Sequence, residues 1–158
     1  MVTEMIPKVK NVKINGLKLT PLKQICDQRG SVMHYLNSDS PNYLKFGEVY
    51  FSTVKAGIIK GWKFHKTITQ NFCIPFGIIK IVVYDNREKS ETYGYIDEII
   101  LNNYDNYYLL TMPPKLWYSF KCISENYAII ANVIDEKHSQ NETVIQPINS
   151  IKIPYDWE

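Results

Sequence analysis

Residues 57–77 read GIIKGWKFHKTITQNFCIPFG. Between the bracketing Gly57 and Gly77 the stretch shows two short segments of β character and nothing that repeats every 3.6 residues, which predicts paired strands rather than a helix. In IIKGWKFH (58–65) the side chains of Lys63 and His65 fall on one face of an extended strand and those of Trp62 and Phe64 on the other. QNFCIPF (70–76) follows as a second strand, with Cys73 inside an apolar run and therefore in the core.

The same punctuation extends both ways. EVYFSTV (48–54), IIKIVVYD (78–85), EIIL (98–101), YYLLTM (107–112), WYSFKCI (117–123) and AIIANVI (128–134) are separated by Asn86, the cluster Asn102–Asn106 and the pair Pro113–Pro114. Strands this short and this evenly spaced predict a sandwich or barrel. VKINGLKL predicts a two-residue hairpin at Asn15–Gly16, and residues 135–149 leave room for a turn of helix before the closing IPYDW. In 48–54, Glu48, Tyr50 and Ser52 share one face, and Val49, Phe51 and Thr53 the other. Period alone leaves two placements open: the polar faces bring Glu48, Tyr50, Lys63 and His65 together around one cavity at a barrel mouth, or they face solvent outside a sheet.

The length of 158 residues favours a single domain, with 45% apolar and 22% charged residues in the ordinary globular range. A net charge of +2, from cations scattered among carboxylates, gives no basic run for a nucleic acid. Twelve tyrosines and three tryptophans suit β-structure, and also the stacking of sugars or bases. Cys26, Cys73 and Cys122 are odd in number and widely spaced, which fits reduced thiols. The amino terminus has no apolar signal region, and no run approaches the ~20 apolar residues of a membrane span, so a cytoplasmic protein is expected, without membrane or nucleic-acid partners.

The spacing of residues 57–77 is similar to the first motif of the cupin barrels, G-x5-H-x-H-x4-E-x6-G, with Gly57, Lys63, His65, Gln70 and Gly77 at its positions. The second motif, near P-x-G-x2-H-x3-N, reads Pro113, Lys115, Tyr118 and Cys122. Three of the usual metal ligands are thus replaced by Lys63, Gln70 and Tyr118. An ammonium has no lone pair and a carboxamide is a weak ligand, so His65 alone does not hold a divalent ion, and no metal is expected. The chain resembles the dTDP-4-dehydrorhamnose 3,5-epimerase family of cupins through D-x-R-G at Asp27, Arg29 and Gly30, E-V-Y-F-S-T at 48–53, K-G-W-x-x-H at 60–65, V-Y-D-x-R at 83–87, the Pro113–Pro114 pair and I-P-Y-D-W at 153–157.

That resemblance implies an all-β cupin jelly roll of one domain (1–158), with N-terminal strands (8–25) exchanged in a homodimer, a barrel core (45–135) and a C-terminal extension (136–158). It implies action without metal or organic cofactor on a substrate of the nucleotide-linked 4-keto-6-deoxy sugar class, dTDP-linked or linked to another nucleoside diphosphate. Arg29 then contacts the diphosphate with Lys60 nearby, since cations suit phosphate oxygens; read from the residues alone, Arg29 is a turn residue pairing with Asp27. Where the family has its base histidine this chain has Lys63; Asn132 falls at the tyrosine acid, and Gln146 or a neighbour at the orienting aspartate. The catalytic candidates are Lys63, as base or fixed cation, with His65, Tyr118 and His138; Arg29, Glu48, Tyr50, Lys60, Gln70 and Asn132 are candidates for binding substrate. Three readings stay open: an epimerase or isomerase working by proton abstraction beside the C4 ketone, a non-catalytic nucleotide-sugar or carbohydrate binding protein, and a dimeric subunit with a vestigial cavity that pairs with a sugar-modifying enzyme, against which the retained Arg29 and Lys60 argue.

Overall fold

The computed structural model describes residues 1–157, which form thirteen strands and, among the described residues, no helix. Two antiparallel five-stranded sheets face each other as a jelly roll. One holds β2 (Lys18–Pro21), β10 (Tyr108–Met112), β7 (Gln70–Phe76), β12 (Tyr127–Ile134) and β5 (Glu48–Lys55), in that order. The other holds β13 (Thr143–Ile145), β6 (Ile59–His65), β11 (Trp117–Cys122), β8 (Ile78–Tyr84) and β9 (Ile96–Asn102). A small separate sheet is built from β1 (Thr3–Met5), β3 (Gln24–Asp27) and β4 (Gly30–Met33).

Alternation of side chains sorts each strand between an inner and an outer face. The inner faces of both large sheets meet in one core, where Phe72, Ile74, Leu110, Met112 and Ile130 pack against Ile79, Ile81, Ile99, Leu101, Phe120 and Cys122. The outer faces are covered by the chain's own segments. Met33, Tyr35 and Leu36 lie over Leu22, Cys73, Tyr107, Leu109 and Ala131, so Cys73 is buried on the outer side of β7. Ile148, Ile153, Tyr155 and Trp157 cover Trp62, Val82, Tyr84 and Trp117 on the second sheet.

Three local expectations change. The Asn15–Gly16 turn forms, with Leu17 N donating to Ile14 O at 3.1 Å, but no hairpin precedes it. The amides of Lys13 and Ile14 donate instead to the Asp97 carboxylate, each at 2.8 Å, and that of Asn15 to Thr92 Oγ1 at 2.9 Å, which leaves them unavailable to a strand partner. Accordingly β2 pairs with β10. The stretch after Ile134 holds no helical turn; its run Thr143–Ile145 pairs with β6. Finally, β6 is not a regular strand: its register against β11 shifts between Tyr118 and Ser119, so that Lys60 opposes Phe120, Gly61 opposes Ser119 and Lys63 opposes Tyr118, with Trp62 as the extra residue. Lys60 and Lys63, which strict alternation separates, therefore share the inner face.

The turn between β7 and β8 depends on Gly77, at φ +83°, where a Cβ would come within 2.7 Å of Ala128 Cβ, Ser124 Oγ and Tyr127 O. Gly77→Ala is expected to destabilise the fold by about 1–3 kcal/mol in denaturant unfolding, through overpacking and the left-handed backbone; a change below about 0.3 kcal/mol would contradict this packing.

Candidate functional site

At one end of the sandwich the inner faces turn polar. Strand β6 supplies Lys63 and His65, β7 Gln70, β11 Tyr118, β12 Asn132 and β5 Tyr50, every one at an inner position of its strand. Strand β13 sets Thr143 opposite His65 and Ile145 opposite Lys63. A cavity of about 240 Å³ lies there, lined by Tyr50, Lys63, His65, Tyr118, His138 and Gln140, with Thr143 and Ile145.

Its floor is one continuous hydrogen-bond chain. Asn132 Nδ2 donates to Tyr50 OH at 2.9 Å and to Gln70 Oε1 at 3.1 Å, and Tyr118 OH donates to the same Gln70 oxygen at 3.1 Å. The Tyr118 proton being committed, its oxygen accepts from His65 Nε2–H at 3.2 Å. That fixes the neutral tautomer of His65, whose Nδ1 is left to accept from Thr143 Oγ1 at 3.5 Å. The other face of Thr143 Oγ1 meets His138 Nε2 at 3.4 Å. The loop carrying His138 is tied down at several points: Glu48 accepts from the His138 amide at 2.9 Å, Glu142 accepts from the amides of Thr67 and Ile68 at 2.7 and 2.9 Å, and Asp135 accepts from Thr69 N at 2.8 Å.

Burial dominates the electrostatics. It holds the His65 imidazole down at about 4; Glu142 pulls the other way, and Lys63 and His138 add to the depression. Burial likewise raises the phenols of Tyr118 and Tyr50 above the usual tyrosine range. A ring with that acidity and an engaged Nε2 is a weak proton acceptor at neutral pH. Lys63 is also lowered, first by burial and then by the ammonium of Lys60. Neither a hydrogen bond nor an ion pair to the described residues holds the Lys63 amine, which projects into the cavity.

The residues singled out from the sequence divide in two. Lys63, His65, Tyr118, His138 and Tyr50 line the cavity; Gln70 and Asn132 lie beneath it, both almost wholly buried; Glu48 holds the loop. Lys60 sits at the sandwich edge, its ammonium donating to Thr53 O at 2.8 Å. Arg29 lies elsewhere in the chain: its side chain is 83% exposed at the turn between β3 and β4, paired with Asp27 and bordering a hollow with Val2, Ile25 and Val32. It takes no part in the depression of Lys63. Gln146 does not reach His65 either; its main chain pairs with Trp62, and its carboxamide accepts from Ser150. Thr143, Gln140 and Ile145 escaped the sequence reading, although the alternating TVI after the loop was a strand signal. Among the described residues no group of three or more His, Cys, Asp or Glu side chains is placed to hold a metal ion, and no helix is long and apolar enough to cross a membrane.

The family model of dTDP-4-dehydrorhamnose 3,5-epimerase matches residues 11–158. The chain belongs to the dTDP-4-dehydrorhamnose 3,5-epimerase family. A solved dTDP sugar isomerase from Desulfovibrio desulfuricans is 40% identical, with a TM-score of 0.89 over 97% of this chain and 94% of that one. A probable low-salt glycan biosynthesis epimerase of Haloferax volcanii is 27% identical over 153 residues, covering 96% of this chain and 91% of the relative. A spore coat polysaccharide biosynthesis protein of Bacillus subtilis is 29% identical over 112 residues, covering 71% and 74%. Family membership and these relatives place the chain among sugar-nucleotide epimerases.

His65 also makes stability depend on pH. Unfolded, it titrates near 6.5, and folded at about 4, so between those values the unfolded chain binds more protons and stability falls as the pH drops. His65→Asn removes this contribution. The fall in Tm from pH 7 to 4.5 is expected to be about 4–8 °C smaller in the variant, corresponding to about 2 kcal/mol; equal falls would contradict a neutral, buried His65.

Proposed function

We propose that the protein is an epimerase or isomerase of a nucleotide-linked 4-keto-6-deoxy sugar, dTDP-linked in keeping with its family, that works in the cytoplasm in deoxysugar or surface-polysaccharide biosynthesis. The reaction removes a proton from carbon beside the C4 ketone and returns one on the other face, which requires a group at the ketone, a proton acceptor and a proton donor. The observation that carries the reading is Lys63: a half-buried amine without a hydrogen-bond partner among the described residues, projecting into a cavity whose floor is a fully connected polar chain.

In this reading Lys63 acts at the C4 ketone and Tyr50 donates to a sugar oxygen. The His138 imidazole, at the open side of the cavity, carries the proton. His65, with its low basicity and its Nε2 engaged, holds Tyr118, while Gln70 and Asn132 set the orientation of Tyr118 and Tyr50. The proton-transfer groups differ from the histidine, aspartate and tyrosine that the family resemblance implies, so the chemistry is kept while its carriers change. No step uses a metal, since Lys63, Gln70 and Tyr118 stand where ligands would be needed.

The diphosphate needs cations that one chain supplies only in part, through Lys60. We propose a homodimer in which the small sheet of one copy lies against the other, so that Arg29 serves the second copy's site. Exposed Val2 and Val32 on that sheet, and Leu44, Phe46 and Phe51 around edge strand β5, give the proposal an apolar surface to bury.

Incubation of dTDP-4-keto-6-deoxyglucose with the protein in deuterium oxide is expected to introduce deuterium at C3, C5 or both. Lys63→Met is expected to slow that exchange by about 10²–10⁴, while dTDP still raises the melting temperature of the variant. Stabilisation by dTDP without any exchange by the wild-type protein would instead assign a non-catalytic nucleotide-sugar binding role.

A further inference from the structure

Lysine in place of an imidazole changes more than basicity, because a primary amine facing a ketone is a nucleophile. We propose that Lys63 forms a Schiff base with the C4 ketone of the sugar, so that epimerisation passes through an iminium and an enamine rather than a free enolate. The proposal deepens the reading above, since it requires a 4-keto sugar in this cavity.

Three observations carry it. Lys63 lines the cavity from β6, and among the described residues no carboxylate, carbonyl or hydroxyl holds its amine. Its charged neighbour is a second ammonium, Lys60, brought to the same inner face by the bulge at Trp62. The aliphatic wall opposite Lys63 is Ile145, across the β6–β13 ladder. A lysine used as a fixed cation to hold an enolate is better served by a partner that keeps it charged. An amine made less basic by partial burial beside another cation offers a larger neutral, nucleophilic fraction at a given pH than an exposed lysine.

The steps balance without any co-reactant except water. The neutral Nζ adds to C4, the carbonyl π pair moves to oxygen, and a proton passes from Nζ to that oxygen, giving a neutral carbinolamine. A second proton, from solvent, lets the hydroxyl leave as water while the nitrogen lone pair forms the C4 iminium; the later hydrolysis returns that proton. His138 accepts the proton from C3 or C5; the carbon–hydrogen pair forms a carbon–carbon double bond, and the carbon–nitrogen π pair returns to nitrogen, giving the enamine. Protonation on the opposite face restores the iminium, and water hydrolyses it to ketone and free amine. The positive nitrogen does the work that an oxyanion site does in the non-covalent reaction, which accounts for a chain that loses the histidine and yet keeps a built polar cavity.

The test is reductive trapping with sodium cyanoborohydride at neutral pH, in the presence of dTDP-4-keto-6-deoxyglucose, with the intact chain read by mass spectrometry. The expected result is one covalent adduct per chain, on the peptide carrying Lys63. It is expected to be absent with dTDP-glucose, which has no ketone, and lost at least tenfold in Lys63→Arg, which keeps the charge and the dTDP-induced rise in melting temperature. Deuterium exchange by the wild-type protein without an adduct on Lys63, or an adduct spread over surface lysines and undiminished in Lys63→Arg, would overturn the covalent route and leave the epimerase standing. Neither exchange nor adduct in protein that dTDP stabilises would overturn both. If Lys63→Arg does not fold, the mapped position of the wild-type adduct decides alone.

Discussion

The Tyr118 hydroxyl is carried by β11 into the space between the two sheets, where the side chain is 3% exposed, and a phenol at that depth has to be hydrogen-bonded. Gln70 and His65 satisfy it, Asn132 satisfies Gln70, and Tyr50 and Thr143 close the two ends of the chain. An orphaned donor or acceptor in such a place costs on the order of 1–3 kcal/mol, and no described side chain is left in that condition. The network thus fixes side-chain rotamers on six strands at the end of the sandwich where the cavity lies, beside a Lys63 amine that no hydrogen bond among the described residues holds. Fully satisfied polar chains rigidify a core, and a rigid floor is what lets one amine be aimed.

The aim itself depends on the opposite side of β6. The extra residue in the bulge, Trp62, is fully buried against the C-terminal tail, with its indole donating to Ile148 O at 3.2 Å and its main chain bonded to Gln146 in both directions. Trp157 donates to Ser119 Oγ at 2.8 Å, beside the point where the register shifts. Lys80 lies 5.6 and 5.5 Å from the ring centroids of Tyr155 and Trp157 and pairs with Glu98 at 2.9 Å. The closing IPYDW therefore acts as a clamp on the outer face, and its consequence on the inner face is that Lys60 and Lys63 stand together. Packing on one side of a strand sets the electrostatics on the other.

Alternation and turn residues were enough to read the strands from Glu48 to Ile134, because each is bounded by clear turn residues; the sharing of one cavity by Tyr50, Lys63 and His65 was one of two placements that period left open, and the family resemblance favoured it. What escaped was structure set by side chains distant in sequence. Asp97 and Thr92 take the amides that a hairpin at Asn15 needed, and Glu142 and Asp135 pin a loop whose composition suggested a helical turn. The bulge at Trp62 reverses the parity that a period of two predicts for Lys60. Arg29 illustrates a different limit: residue type and motif pointed to phosphate, while its place on a separate sheet turns it away from its own chain's cavity.

The central claim is that Lys63 occupies the histidine position as an amine of reduced basicity, and the titration of that amine tests it most directly. In protein labelled with ¹³C at lysine Cε, one resonance, identified by its loss in Lys63→Arg, should pass through its transition at a lower pH than the other lysines. That direction follows from burial and from Lys60. Titration of Lys63 together with the surface lysines, or above them, would contradict the account.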